Sequence, residues 1–341
     1  MSEQYRVGII GCGRIADMHA RGYNVEPRTT VVALADIEDG KAEEFADEHR
    51  FDARIYADYR EMLAAEDLDL VSICLWTVMH PEAVSECVEA GVPCVHCEKP
   101  MAPTWGEALQ IAKAVEGTET QLTFNHQRRF VKGFRRAKEL LDGGDFGPLR
   151  MIEAYIPANL LDWGTHLLDL CAMYNDESPA VWVIGQIDAR EPGKWFGVPY
   201  EFTAAGLVRY QNGVRAMLHC GDDKELRVGV RLHAADGTIE ITGDGFPLRA
   251  RQFGGPDREF PEIEEESHET GGISRVIGHI LDCHEAGREP ELSVNGALRA
   301  TEIIFSLYES SRSRARIDLP LESRDSAFIN MLEEGVIGPS D

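Results

Sequence analysis

The stretch Tyr5-Arg6-Val7-Gly8-Ile9-Ile10-Gly11-Cys12-Gly13-Arg14-Ile15-Ala16 decides the fold. Tyr5–Ile10 reads as a buried strand, Gly11–Gly13 as a turn, and Ile15–Tyr23 as the helix that follows. Strand, glycine turn and helix in that order form the phosphate-binding start of a dinucleotide domain. Gly11 permits the tight turn. Gly13 lets backbone amides approach a pyrophosphate at the helix N-terminus, with Arg14 and Ile15 among the expected cofactor contacts. Ala16 is small enough for close helix–strand packing. A second apolar strand, Thr30–Ala35, ends at Asp36. A carboxylate there would accept hydrogen bonds from an adenosine ribose and repel a ribose phosphate, so NAD is expected over NADP. The plainer alternative makes Asp36 a turn residue at a strand end.

Working outward, Gly40–Phe51 reads as an amphipathic helix, and Leu68–Leu75 and Val92–Cys97 as further apolar strands. Between those strands Pro81–Ala90 reads as a helix, with Pro81 near its start and Gly91 just past its end. Strands alternating with helices imply a parallel sheet covered on both faces. Thr104-Trp105-Gly106-Glu107 has capping-box spacing and starts a helix to about Glu116; Gln121–Phe124 is a short strand. The grammar then changes. Lys132–Leu141 is a helix closed by Gly143-Gly144. Asn212-Gly213 separates Leu207–Tyr210 from Val214–His219, and Asp236-Gly237 separates Val228–Ala234 from Thr238–Thr242, both as tight hairpins. The expected division is a nucleotide-binding domain over residues 1–122 and an α+β domain with an antiparallel sheet over 123–341. Asn295–Ser310 reads as a late helix, Ala315–Leu319 as a last strand and Glu262–Glu266 as a solvated acidic loop.

Composition narrows the function. The 341 residues carry a formal net charge of -25 at pH 7, which opposes both a nucleic-acid backbone and an anionic membrane surface. The acidity fits either a high-salt cytoplasm or an ordinary acidic enzyme. No apolar run approaches the ~20 residues of a membrane span, and residues 1–10 lack a signal-peptide pattern. The 8 cysteines are scattered, which suits reduced thiols and a cytoplasmic setting.

Lys99 ends the apolar run from Val92 in the sequence Cys97-Glu98-Lys99-Pro100. A charged amine closing a buried strand of a nucleotide domain is hard to explain by packing and suits proton transfer beside a cofactor. Further on, Asp162 and His166 stand four apart at the start of an expected helix, so they share a face, with Asp169 on roughly the same side. Proton transfer beside a nicotinamide needs a base with a pKa near the working pH. Histidine is already close; burial and an oxidised nicotinamide would bring lysine down toward that range.

These residues together resemble the glucose–fructose oxidoreductase, inositol dehydrogenase and rhizopine-catabolism family (Gfo/Idh/MocA). The resemblance runs over nearly the whole chain. It includes Gly11–Ala16, Asp69–Cys74 with His80 a little after, Ala90–Pro93 leading into Glu98-Lys99-Pro100, Arg129-Phe130, Asp162–Asp169 and Ser293–Ser311. It implies a Rossmann domain followed by a domain with a large, mostly antiparallel open sheet, and a homodimer or homotetramer formed through that sheet. It implies hydride transfer between a nicotinamide and one carbon of a sugar, cyclitol or related polyol. It implies that Lys99, Asp162 and His166 are catalytic, with Lys99 and His166 flanking the reacting hydroxyl and His166 the main acid/base. Asp162 would contact substrate or orient His166. Which of Lys99 and His166 takes the proton stays open. His80 and Glu98 join the cofactor group, Asp169 reads as structural, and the Lys99-Pro100 bond is expected to be cis.

The same residues admit other readings. Cys94 and Cys97 on one strand point to opposite faces, which is poor geometry for one metal ion, and no metal is expected at Asp162, His166 and Asp169. Arg128 and Arg129 suit either a clamp on an anionic substrate or an internal salt bridge. Trp76 suits either the cofactor crevice or packing. Between the strand Leu149–Ile156 and Asp162 only five residues intervene, fewer than in many family members, which suggests a larger substrate or a cover supplied by another segment or subunit. Two other functions stay in view: an NAD-dependent glycosidase working by transient oxidation, and a cofactor-sensing regulator without catalysis.

Overall fold

A computed structural model describes residues 4–190, 192–221, 228–263 and 271–338. The chain divides into two compact units, each discontinuous in sequence. The first comprises 1–102, 107–127 and 269–297; the second comprises 103–106, 128–268 and 298–341.

The first unit holds strands β1 (Tyr5–Ile10), β2 (Thr29–Ala35), β3 (Arg54–Tyr56), β4 (Leu70–Ile73), β5 (Cys94–Cys97) and β6 (Gln121–Phe124). They form one sheet in the order β3-β2-β1-β4-β5-β6, and every pairing is parallel. Helices α1 (Arg14–Val25), α2 (Lys41–His49), α3 (Tyr59–Ala65), α4 (His80–Glu89) and most of α5 (Trp105–Val115) alternate with the strands. Strands β4 and β5 are buried along their whole length, as a sheet covered on both faces requires. The strand order reverses direction between β1 and β4, and ligands of such sheets bind at the carboxyl ends of the strands there.

A helix from far down the chain completes this unit. α8 (Ile273–Ala286) packs on α1 at Gly22, where a Cβ would come within 2.5 Å of Ile277 Cδ1. The amide of Phe124 donates to the Leu292 carbonyl at 3.0 Å, which ties the same returning segment to β6.

The second unit is built on β7 (Leu149–Ile156), β8 (Ala180–Asp188), β11 (Thr203–Tyr210), β12 (Arg215–Gly221), β13 (Gly229–Ala234), β14 (Gly237–Thr242), β15 (Leu248–Gln252), β16 (Arg258–Glu259) and β17 (Ile317–Asp318). The sheet order is β16-β15-β14-β13-β7-β12-β11-β8-β17, antiparallel except for the β7–β12 pair. A separate hairpin joins β9 (Gly193–Trp195) to β10 (Val198–Tyr200). Asn212-Gly213 and Asp236-Gly237 sit at the two expected turns, between β11 and β12 and between β13 and β14. Helices α6 (Lys132–Asp142), α7 (Thr165–Tyr174), α9 (Val294–Ser313) and α10 (Ala327–Glu333) accompany the sheet, α9 beginning in residues counted with the first unit. Part of the acidic loop at Glu262–Glu266 lies outside the described residues.

Candidate active site and cofactor site

The turn after β1 has the form a pyrophosphate needs. Gly11 has φ +86°, and a Cβ there would stand 2.7 Å from the Cys74 carbonyl oxygen, so only glycine fits. Gly13 has open space where a Cβ would point. It is also the N-cap of α1 and offers no side-chain cap to the first helical amides, which leaves that helix end available to an anion. Arg14 is exposed and Ile15 half-buried at the first two helical positions.

Asp36 is half-buried just beyond β2. Its Oδ2 accepts from the Cys12 amide at 2.8 Å, which fixes the carboxylate beside the glycine turn, and its Oδ1 accepts from the Glu38 amide at 2.9 Å. The residues therefore fit a dinucleotide: a glycine turn shaped by sterics, a helix end without its own cap, and an acid held next to both. Trp76, following β4, is 57% exposed and so is not a core side chain.

Lys99 follows β5 and is half-buried, and the Lys99-Pro100 bond is cis. The residues before it form a buried polar cluster. Glu98 is 3% exposed; its Oε1 accepts from Asn125 Nδ2 at 2.6 Å and lies 2.7 Å from His19 Nε2, and its Oε2 accepts from the Lys99 amide at 3.2 Å. His19 Nδ1 lies 3.0 Å from Ser72 Oγ, which in turn is 2.6 Å from the Tyr23 hydroxyl. Burial alone would raise the Glu98 pKa, but the bond to His19, the His19 and Lys99 charges and the Asn125 amide overcome it and hold the carboxyl down at about 2. His80 is wholly buried, with Nδ1 3.0 Å from the Pro100 carbonyl and Nε2 3.0 Å from the Leu75 carbonyl. A neutral imidazole has one N–H and serves one of these carbonyls at a time, and burial lowers the ring's pKa. Glu98 and His80 thus direct their polar atoms at the protein around Lys99.

In the second unit, Asp162 is 6% and His166 4% exposed. They do not share one α-helix. Asp162 lies in a π-helical turn, Leu160–Gly164, and His166 in the first turn of α7. The sequence pattern hides this because the wider turn is set by the amide of Gly164 donating to the Asn159 carbonyl, five residues back, at 3.0 Å. Asp162 is not the cap either: Asn159 is, and its side chain accepts from the Asp162 amide at 2.7 Å.

Asp169 is held away from chemistry. Arg129 donates to its Oδ1 from Nη2 at 2.7 Å and to its Oδ2 from Nε at 2.9 Å, and also reaches Glu177 at 2.7 Å. Arg299 bonds the other Glu177 oxygen at 2.6 Å. For Arg129 the internal salt bridge therefore describes the structure. Arg128 pairs with Asp244 and lies 5.7 Å over the Trp163 ring. All eight cysteines are free and buried, and Cys94 and Cys97 are part of the β5 core. Among the described residues one group could chelate an ion, Asp17 with Glu48 and His49, but Arg21 already pairs with Asp17 at 2.8 Å.

Residues 5–126 match the family model described as an oxidoreductase family with an NAD-binding Rossmann fold. An uncharacterized oxidoreductase, YrbE, of Bacillus subtilis is 32% identical over 155 residues, 45% of this chain and 44% of that protein. An inositol 2-dehydrogenase of Burkholderia multivorans is 33% identical over 149 residues, 43% of this chain and 44% of that protein. The chain thus matches somewhat less than half the length of these relatives. Among solved structures, the WlbA dehydrogenase of Bordetella pertussis, in complex with NADH and UDP-GlcNAcA, superposes with a TM-score of 0.79 over 94% of this chain and 99% of that one. At 20% identity that likeness is one of fold. No helix among the described residues is long and apolar enough to cross a membrane.

Proposed function

We propose, from the premise that residues 5–126 belong to the NAD-binding Gfo/Idh/MocA oxidoreductase family, that this chain is an NAD-dependent dehydrogenase. It moves a hydride between the nicotinamide and a secondary alcohol or ketone of a sugar, cyclitol or related polyol. The observation that carries the reading is the turn after β1, with an uncapped helix end, open space at Gly13 and Asp36 clamped beside it. The inositol dehydrogenase named among the relatives supports the substrate class.

A bound nicotinamide would supply the hydride acceptor or donor. The chain supplies the rest. Gly11, Gly13, Arg14 and Ile15 receive the pyrophosphate and Asp36 the ribose, whose acid favours NAD over NADP. Glu98 and His80 brace the corner that carries Lys99. His166 and Lys99 take up and return the hydroxyl proton, and Asp162 binds the substrate or steers His166. The short connection from β7 to Asp162 fits a substrate too large for a long covering loop. The open sheet of the second unit is the proposed interface for a homodimer or homotetramer. The eight free, buried thiols suit a cytoplasmic, reducing setting.

The test is a panel of polyols and sugars with NAD and with NADP, following absorbance of the reduced nicotinamide. Net reduced cofactor with at least one polyol is expected, and His166→Asn should lower kcat by ~10²–10⁴-fold. A panel with no turnover and no binding of NAD would end the proposal.

A further inference from the structure

Glu201 is wholly buried in the second unit, between β10 and β11, and the chemistry above makes no use of it. Its two oxygens serve two different elements. Oε1 accepts the backbone N–H of Leu160, and Oε2 lies 2.8 Å from the Tyr308 hydroxyl on α9.

Leu160 opens the π-helical turn that carries Asp162. Its N–H is one of the amides that a helical start leaves without an internal partner. Glu201 takes that amide, Asn159 takes the amide of Asp162, and the Asn159 carbonyl takes that of Gly164. The backbone is therefore pinned on both sides of Asp162 and at Asp162 itself. Tyr308 is fixed in its turn, with the Phe305 and Phe328 rings 5.9 and 5.3 Å from its own. Gly164 closes the turn where a Cβ would meet Leu160 Cδ1 at 3.0 Å and Cys220 Sγ at 3.2 Å. A π turn inside a helix is uncommon and is kept where local contacts hold it. Letting it relax to α geometry would rotate Asp162 relative to His166.

We propose that Glu201 is a positioning residue: through Leu160 and Tyr308 it holds the π turn in the form that presents Asp162 together with His166 to the substrate. This rests on the function proposed above, which gives Asp162 and His166 their roles. The bonding scheme also predicts its own rescue. In Glu201→Gln the amide oxygen still accepts from Leu160 and the amide N–H donates to Tyr308, so the anchor survives without the charge.

The experiment compares kcat, substrate KM and NAD KM of the full chain and of E201A, E201Q and Y308F, with D162N and H166N alongside, on the panel polyol that turns over. Amide exchange over residues 160–164 is followed in parallel, and thermal melts report the folded fraction. E201A is expected to lose kcat ~10–100-fold, as a displacement of about 1 Å does, with NAD KM unchanged and faster exchange at 160–164. E201Q is expected to stay close to the parent, and Y308F to fall between. Parent-like kcat and exchange in E201A would overturn the proposal, as would E201Q falling as far as E201A. If E201A does not fold, Y308F decides, and parent-like kcat and exchange in that variant defeat the inference. If D162N and H166N both keep turnover, the functional reading has failed, while the exchange data still judge the anchor. If they lose turnover and E201A keeps it, only the role of Glu201 falls.

Discussion

His19 Nε2 lies 2.7 Å from Glu98 Oε1, with both side chains buried and Glu98 one residue ahead of Lys99. Removing one partner of a buried pair leaves the other's polar group without its match, whereas removing both together is far milder. His19→Leu alone should destabilise the protein by ~3–5 kcal/mol. The double variant His19→Leu with Glu98→Leu should recover part of that loss. Chemical denaturation of the two singles and the double checks this; additive losses would show that the pair is not coupled.

Acid should weaken the fold in two stages. Burial, and secondarily the neighbouring His19, lowers the His96 pKa from 6.5 to about 3. Between those values the unfolded chain binds a proton that the folded chain refuses, so stability is full above about 6.5 and falls with falling pH, by ~1.4 kcal/mol per unit. Glu98 adds a second loss between its ordinary 4.5 and about 2, where the folded state keeps it ionised. Denaturation midpoints measured from pH 7 down to pH 4.5 test the first stage. His96→Gln should flatten that slope, and an unchanged slope would assign the acid sensitivity elsewhere.

Asp36→Ser should relax cofactor choice. The variant loses an acceptor for the ribose and the charge that repels a ribose phosphate, together with the bonds to the Cys12 and Glu38 amides. A charged hydrogen bond contributes about 1.5–3 kcal/mol, so the ratio of kcat/KM for NAD over NADP should fall ~10–100-fold. An unchanged ratio would remove Asp36 from the cofactor site.

Gly11→Ala places a Cβ 2.7 Å from the Cys74 carbonyl at a backbone φ of +86°. The strain of such a position is ~1–3 kcal/mol, and relieving it must move the turn. NAD affinity should fall more than thermal stability does, as isothermal titration and melting would show together. Gly13→Ala, with open space around it, should spare stability and lose affinity only where the pyrophosphate would lie.

Arg129→Met should be costly because Asp169 is buried with it and bound through both oxygens. A loss of ~3–5 kcal/mol is expected, with Arg129→Met and Asp169→Leu combined less harmful than their sum. Because Asp169 is on the same helix as His166, kcat should fall in the fraction that remains folded. Full activity per folded molecule would show that this ion pair does not orient α7.

Much of the framework was legible. Apolar runs of strand length, the proline and glycine flanking α4, and the Asn-Gly and Asp-Gly hairpins each signal their elements locally, because a backbone twist or a missing N–H restricts which residues fit. The π turn was not legible, since its extra residue per turn is set by the Asn159–Gly164 bond and by Glu201, far along the chain between β10 and β11. The return of 269–297 to the first unit also has no local signal. His19 and Asn125, remote from Glu98 in sequence, carry no pattern that names them as its partners.

By itself, then, the sequence determined the parallel sheet, the glycine turn with its acid after the second strand, and the change to antiparallel hairpins. These follow from steric limits on a few consecutive residues and from the period of apolar side chains. Only the tertiary structure decided that Glu98 and His80 turn inward around Lys99, that Asp169 is spent on Arg129, and that Glu201 grips the turn bearing Asp162. Those outcomes depend on which polar groups lose water together, and burial forces each to find a partner, as far as 107 residues away for Glu201 and Tyr308.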